Sequence, residues 1–203
     1  DTKKIFVFGH GDGSYIAANI AGHESIAGII AVNAPGRNAS KLLREWAKQS
    51  CQDQKKSEAE TKSYLGLIEG IIQRLAAGGA RAEDFQVDSK DELLQPLVSS
   101  PDYAYSWLLD DPLSVFPNIV GSVLVIHGGK DRRVTPREGV YIADALKTGE
   151  HKDYEVHTLP DLDYFLKVNK AASSFEADND LSRPLDPALL KLIDEWLGKK
   201  LSK

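Results

Sequence analysis

The sequence contains no methionine, a single cysteine and no apolar run long enough to cross a membrane. A spanning helix needs about 20 predominantly apolar residues, so no transmembrane segment is predicted. Cys51 has no second cysteine with which to form an internal disulfide, and no Cys/His cluster shows metal-ligand spacing. We therefore predict no disulfide framework, no metal site and no cofactor.

Basic residues are fewer than acidic ones, with 25 Lys and Arg against 30 Asp and Glu, which gives a formal net charge of -5. Nucleic acid and anionic membranes are bound by basic faces, so neither is predicted as a partner. The 42% hydrophobic and 27% charged residues indicate one compact, acidic, soluble domain over residues 1–203. No targeting segment indicates a compartment, and a chain that begins at Asp1 and lacks methionine fits a processed product or a fragment.

Four short apolar runs, rich in β-branched residues, predict strands that are buried on both faces. They are Ile5–Phe8, Ile26–Asn33, Ser122–His127 and Tyr154–Leu159. Helical patterns alternate with them, which is typical of parallel strands joined by crossovers. The predicted fold class is therefore α/β, a parallel sheet of about four strands flanked by helices.

The helical patterns differ in strength. Val140, Ala143 and Leu146 form one predicted apolar stripe. A clearer stripe lies in the last helix, where Asp186 is the predicted N-cap and Pro187 the first helical residue. A polar, acidic loop is predicted just before it, over residues 173–184.

Residues 36–118 interrupt the alternation, because they contain no convincing strand. Apolar spacing predicts a long helix from Tyr64 to Leu75 and a shorter one that includes Leu42 and Trp46. Since the strands resume afterwards, we interpret this stretch as a helical insertion over one end of the sheet, within the single domain.

The turn after the first strand carries three glycines, Gly9, Gly11 and Gly13. A phosphate-binding loop would need a Lys-Ser/Thr pair, and the dinucleotide-binding spacing fails at Ser14 or Ile16. A nucleophile elbow, G-x-S-x-G, has small residues two before and two after its central residue, which here is Gly11. A plain glycine-rich connection is the remaining interpretation of this segment.

Four segments resemble a known family in the order of the chain. Phe8–Ala17 looks like the G-H-S-x-G-G segment of α/β-hydrolases, especially serine esterases and peptidases related to dienelactone hydrolase. Ile26–Gly36 resembles the family's next strand, which ends in a small-Pro-Gly turn. Val123–Asp131 is similar to the strand and turn that present the triad acid, and Leu159–Lys167 aligns with the L-P-G-x-N-H segment. The resemblance places the insertion where this family carries its cap.

The resemblance implies a triad with Gly11 at the nucleophile position, Asp131 as the acid and Tyr164 at the histidine position. The backbone N–H of Asp12 would be one oxyanion donor. Glycine has no side chain with which to attack a carbonyl, and tyrosine, with a pKa near 10, cannot replace an imidazole with a pKa near 6.5. The triad is therefore predicted to be inactive, and the domain to be a pseudoenzyme with a binding, assembly or scaffolding role.

Two other functions stay open at this point. An esterase or peptidase could act through residues that the motifs do not reveal, such as His10 beside the elbow, or through a segment outside these 203 residues. Alternatively, the cleft at the triad-equivalent positions could hold a small acyl or peptide ligand, with Tyr164 and Asp131 as polar contacts.

The resemblance also implies strands that would precede Ile5–Phe8 in the family's sheet. Without them this strand, which is apolar on both faces, would lie at an edge with unpaired backbone groups. We predict that the edge is covered by a separate N-terminal segment, by a second copy of the chain or by a partner chain.

Overall fold

The structure, a computed structural model, describes residues 1–169 and 182–202. The chain folds as two units, one of Asp1–Arg37 with Pro112–Lys203 and the other of Asn38–Asp111. The second unit falls within the predicted insertion, whose role as a cap remains a prediction. Most of the predicted polar loop over 173–184 lies outside the described residues.

The first unit contains a four-stranded parallel sheet. Its strands are β1 (Phe6–His10), β2 (Gly28–Val32), β3 (Ser122–Gly128) and β4 (Tyr154–Leu159). They are ordered β1-β2-β3-β4, each parallel to the next. The prediction of an α/β fold with about four parallel strands is confirmed.

Helices connect and flank these strands. They are α1 (Asp12–His23), α6 (Pro112–Val115), α7 (Arg137–Thr148) and α8 (Pro187–Leu201), with short 3-10 turns at Thr2–Lys4 and Phe116–Asn118. The last helix begins as predicted, because the side chain of Asp186 accepts a hydrogen bond from the Ala188 amide and Pro187 is the first helical residue.

Each face of the sheet buries its own apolar cluster. One cluster joins α1, α7 and the sheet, including Ala17, Ile29, Val125 and Ile142. The other joins the opposite face to α8, where Trp196 packs edge-on against Phe6 at 5.5 Å between ring centroids. Because β2 and β3 are covered on both sides, their sequences are almost continuously apolar.

One predicted stripe is partly wrong. Leu146 is buried as predicted, but Val140 is 57% exposed, and α7 buries Ile142 and places Gly139 against β3. The apolar periodicity located the helix correctly, but several faces of this helix carry apolar residues. Which of those faces is buried depends on contacts with the sheet that the local pattern does not encode.

The second unit is helical, with α2 (Ala39–Asp53), α3 (Glu58–Ala76), α4 (Gln95–Ser99), α5 (Pro101–Leu109) and a 3-10 turn at Ala82–Asp84. Ser57 and Glu60 form a capping box that begins α3. Trp46 and Trp107 stack at 6.0 Å between centroids, so the unit buries a core of its own.

Candidate functional site

The site begins at the turn between β1 and α1. Gly11 has φ 55° and ψ -125°, a left-handed conformation that residues with a side chain rarely adopt. Its amide donates a 2.9 Å hydrogen bond to the carbonyl of Val32 at the end of β2. A Cβ at Gly9 would overlap the carbonyl of Gly13, so the strand and the helix approach each other too closely for any side chain there. The geometry of the turn therefore requires glycine at positions 9 and 11, whereas a Cβ at Gly13 would meet nothing within 4 Å.

Ser14, the hydroxyl nearest to the turn in sequence, is fully buried. Its Oγ lies 2.8 Å from the carbonyl oxygen of Gly9 and 3.2 Å from that of Val32, and its proton is donated toward these acceptors. The side chain therefore fastens the turn to the sheet and presents no hydroxyl to solvent.

Tyr164 lies against Gly11. A Cβ added at Gly11 would overlap the phenol oxygen of Tyr164 and come within 3.3 Å of its Cζ. The sheet thus brings together two of the predicted site positions, which are far apart in sequence. The hydroxyl occupies the volume that a side chain at position 11 would take.

The environment of Tyr164 keeps its phenol protonated. Burial, followed by the negative charges of Asp12 and Asp131, raises the pKa of Tyr164 to about 12, while the positive charge of Arg133 acts in the opposite direction. Asp12, the first residue of α1, and Asp131, in the turn after β3, are thus close enough to act on the phenol electrostatically. At neutral pH this group is therefore a neutral hydroxyl and not a phenolate.

The backbone of Tyr164 is held by two side chains. Its carbonyl oxygen lies 2.7 Å from His10 Nε2 and 2.7 Å from Asn33 Nδ2. Because a carbonyl can only accept, Nε2 is the protonated nitrogen of His10 in this arrangement. The imidazole also packs on the Tyr164 ring at 4.5 Å between centroids. His10 therefore orients the loop that carries Tyr164.

Asn33 is a site residue that the sequence reasoning missed. It is fully buried at the end of β2, with φ 45°, and its Oδ1 accepts a 2.8 Å hydrogen bond from the Gly128 amide. One side chain thus joins β2, β3 and the Tyr164 loop. The sequence feature that could have identified Asn33 is its position directly after a buried strand. Asparagine tolerates left-handed backbone, and its side chain carries both a donor and an acceptor.

Asp131 is almost completely buried. Its Oδ1 accepts hydrogen bonds from the amides of Arg133 at 2.8 Å and Val134 at 2.9 Å, so it stabilises its own turn. The guanidinium of Arg133 lies 5.2 Å from the ring centroid of Tyr164 and 5.4 Å from that of Phe165. Arg133 thereby connects the predicted acid turn to the predicted histidine loop.

Asp163 was also missed. It is fully buried, and its Oδ1 accepts from the amides of Phe165 at 3.0 Å and Lys167 at 3.1 Å. Its Oδ2 lies 2.6 Å from a guanidinium nitrogen of Arg183. This ion pair anchors the loop next to Tyr164. In the sequence, Asp163 is indicated only by being an acidic residue within an apolar segment.

The other histidines lie away from the elbow turn. His127 is fully buried in β3, beside Gly139 of α7 and Val156 of β4. Among the described residues it has no hydrogen-bond partner for either ring nitrogen, and burial lowers its pKa to about 4. His157 lies on β4 with Glu155 at 3.1 Å. Both occupy strand positions, as predicted.

Residues 1–169 and 182–202 offer no metal centre, because no three or more of their His, Cys, Asp or Glu side chains are grouped so that they could hold an ion. No helix in this part of the chain combines the length and apolar character required to traverse a bilayer.

Comparison with known proteins gives matches of structure only. No protein-family model and no curated protein matches the chain. A metagenome-derived lipolytic enzyme of the LipS and LipT pair aligns with TM-score 0.52 and 18% identity over 96% of this chain and 64% of its own. A thermophilic esterase from Thermogutta terrifontis aligns with TM-score 0.50 and 17% identity over 97% and 65%.

A Pyrococcus horikoshii acylaminoacyl peptidase aligns at TM-score 0.43 and 16% identity over 81% of this chain and 20% of its own. The chain spans less than two thirds of the length of each of these solved structures. At such identities the likeness concerns the fold and not the reaction. The parallel sheet and its neighbours among solved structures show that this chain has an α/β-hydrolase fold.

Proposed function

We propose that this chain is a non-catalytic α/β-hydrolase-like domain with a binding or assembly role. The observation that carries the proposal is the contact at the elbow, where Gly11 supplies no nucleophile and the Tyr164 hydroxyl fills the space of the missing side chain. Acyl transfer by this fold requires an exposed nucleophile and a base within hydrogen-bond reach of it.

The neighbouring groups do not replace the missing pair. The hydroxyl of Ser14 is buried and donates to backbone carbonyls. The Nε2 of His10 donates to the carbonyl of Tyr164, which leaves that nitrogen unable to accept a proton from a nucleophile. The phenol of Tyr164, with its pKa raised to about 12, is a poor base and a poor nucleophile at neutral pH.

A direct test measures covalent labelling by a fluorophosphonate probe and hydrolysis of p-nitrophenyl acetate. We expect neither labelling nor turnover above that of the S14A variant, which lacks the hydroxyl nearest the elbow. Stoichiometric labelling of the unmodified chain would overturn the proposal, and its loss in S14A would identify Ser14 as the nucleophile.

A gain-of-function test complements it. The double variant G11S/Y164H places a hydroxyl and an imidazole at the two positions and removes the overlap between them. We expect weak probe labelling of the double variant and none of either single variant, because nucleophile and base act as a unit. Labelling of G11S alone, at the level of the double variant, would show that the chain already supplies a base.

An esterase activity is the second candidate. The left-handed backbone of Gly11 is the conformation expected of a nucleophile elbow, and two solved structures with the same fold are named as a lipolytic enzyme and an esterase. Under this candidate the catalytic groups come from residues outside the elbow contacts, and the unmodified chain hydrolyses the acetate ester.

The binding role has its own assay. A small acyl or peptide ligand would contact Tyr164 and Asp131, so short-chain acids and dipeptides should raise the melting temperature of the unmodified chain. The matched variant is Y164F, which keeps the ring and removes the hydroxyl. Equal ligand-induced shifts in both proteins would remove Tyr164 from the binding site.

A further inference from the structure

His127 is an imidazole in the interior of the sheet unit without a hydrogen bond. The side chain is fully buried, and neither ring nitrogen has a partner within residues 1–169 and 182–202. A neutral imidazole carries one donor and one acceptor, and burying such groups unpaired costs free energy. The same face of β3 otherwise carries Val123 and Val125, which pack in the apolar cluster under α7. A proton on His127 would therefore be buried among apolar side chains.

The ring of His127 lies against the first turn of α7. A Cβ added at Gly139 would come within 3.0 Å of Cδ2 and 3.3 Å of Nε2 of His127, so the helix backbone approaches the ring closely. Gly139 is the third residue of α7, and the first turn of a helix is the positive end of its dipole. A positive charge on His127 would therefore meet an unfavourable dipole as well as an apolar interior.

The charges around His127 do not compensate a proton on it. Val123 pairs in register with Tyr154, so Glu155 and His157 of β4 lie on the opposite face of the sheet from His127. Burial is the one cause that lowers the pKa of His127, and no neighbouring charge acts as a second cause. The other charged or titratable side chains of the adjoining segments are Asp131 after β3, Tyr154 of β4, and Arg137, Glu138, Tyr141 and Asp144 of α7.

The same turn of α7 carries a fully buried carboxylate, that of Glu138. Its Oε2 accepts a 3.1 Å hydrogen bond from the Gly36 amide, and its Oε1 accepts a 2.9 Å hydrogen bond from Arg37 Nε. Glu138 thus fastens the first turn of α7 to the segment after β2. Arg37 is the residue at which the chain leaves the first unit for the second. A displacement of the turn would therefore release the anchor of this connection.

We propose that His127 is an acid-sensitive switch: protonation of its imidazole releases the first turn of α7 from the sheet, and with it the hold of Glu138 on the segment after β2. The remainder of α7 stays in place, because Ile142 and Leu146 are fully buried. Opening one turn brings water to the ring at a lower cost than unfolding the whole unit. This switch is independent of whether the domain is catalytic.

Amide hydrogen exchange on the full chain tests the switch. The Gly36 amide reports the turn, because its acceptor is Glu138, and the Val125 amide in the middle of β3 reports global unfolding. In the released turn the pKa of His127 returns from about 4 to 6.5, so the protection of Gly36 against exchange should fall about 30-fold between pH 7.5 and 5. At each pH Gly36 should exchange roughly tenfold or more faster than Val125, and low urea should not change its rate.

Two variants separate the titration of His127 from that of Glu138. H127L removes the titrating ring, so the protection of Gly36 should stay constant between pH 7.5 and 5. E138Q is the matched control, because the amide does not titrate and still offers an oxygen to the Gly36 amide. The acid-dependent loss of protection should therefore remain in E138Q at about the same factor of 30.

A loss of protection that persists in H127L, or that disappears in E138Q, would overturn the proposal, because His127 would then not be the titrating group. A Gly36 amide that keeps its protection down to pH 5 would also overturn it. So would a Gly36 amide with the exchange rate and urea dependence of Val125, because the turn would then open only on global unfolding. The last two outcomes are measured on the unmodified chain, so they decide the question even if H127L does not fold.

Discussion

The phenol oxygen of Tyr164 fills the space in which a side chain at Gly11 would have to lie. The two positions therefore constrain each other. A residue larger than glycine at position 11 requires Tyr164 to move, and a smaller residue at position 164 would leave the elbow open. This mutual exclusion links the glycine at the centre of the turn to a packed, specific contact with Tyr164.

Replacing Gly11 by alanine should destabilise the protein by about 2–4 kcal/mol, since it combines left-handed backbone strain with steric overlap. Y164F should recover part of that loss in the double variant G11A/Y164F, because the oxygen that overlaps the new Cβ is gone. G13A is the matched control: its Cβ would meet nothing within 4 Å, and alanine favours the helix. Urea unfolding is measured for the unmodified chain, G11A, Y164F, G11A/Y164F and G13A, and strictly additive effects of G11A and Y164F would contradict the predicted contact.

His127 should make stability depend on pH. Its pKa is about 4 in the folded chain against 6.5 ordinarily, so the unfolded chain takes up a proton first as the pH falls. Stability is therefore unaffected above pH 6.5 and is lost between pH 6.5 and 4, by about 3 kcal/mol at the lower end. H127L should flatten this part of the profile of unfolding free energy, whereas H23Q, outside the sheet core, should follow the unmodified protein. Parallel profiles for H127L and the unmodified chain would exclude His127 as the cause.

Asn33 should be costly to replace. N33A leaves the buried amide of Gly128 without its acceptor and the Tyr164 carbonyl with one donor fewer, for a loss of about 2–4 kcal/mol in the free energy of unfolding. N33G removes the same hydrogen bonds but relaxes the left-handed backbone, so it should be less harmful than N33A. N33D keeps an acceptor for Gly128 and loses the donor. Thermal unfolding measures the three variants. A lower melting temperature for N33G than for N33A would show that the left-handed backbone at position 33 contributes little to the cost of N33A.

Among the substitutions discussed, removing the partner of a buried charge should lower the free energy of unfolding most. R183L leaves the Asp163 carboxylate in the interior without its guanidinium, with an expected loss of about 3–5 kcal/mol. R183L/D163N should be more stable than R183L, because the amide carries no charge to be stabilised. Urea denaturation measures the free energy of unfolding of both variants. If R183L/D163N is no more stable than R183L, Arg183 does not stabilise the fold through its ion pair with Asp163.

Much of the fold followed from local patterns. The run from Tyr154 to Leu159 predicted β4 to the residue, and the Asp186-Pro187 start of the last helix was confirmed by its cap geometry. Such features depend on neighbours in sequence, where periodicity and capping preferences act directly. The buried face of α7 was predicted less well, since it depends on which strands the helix covers.

The sequence by itself determined that this is an α/β chain with glycine at the centre of an elbow-like turn and tyrosine where the family resemblance expects histidine. Only the tertiary structure decided that these two residues touch, and that His10 and Asn33 hold the Tyr164 backbone while Arg183 neutralises Asp163. Parallel strands bring distant segments to one end of the sheet. Which side chains then meet depends on backbone approach and burial, and these are properties of the assembled fold and not of any local pattern.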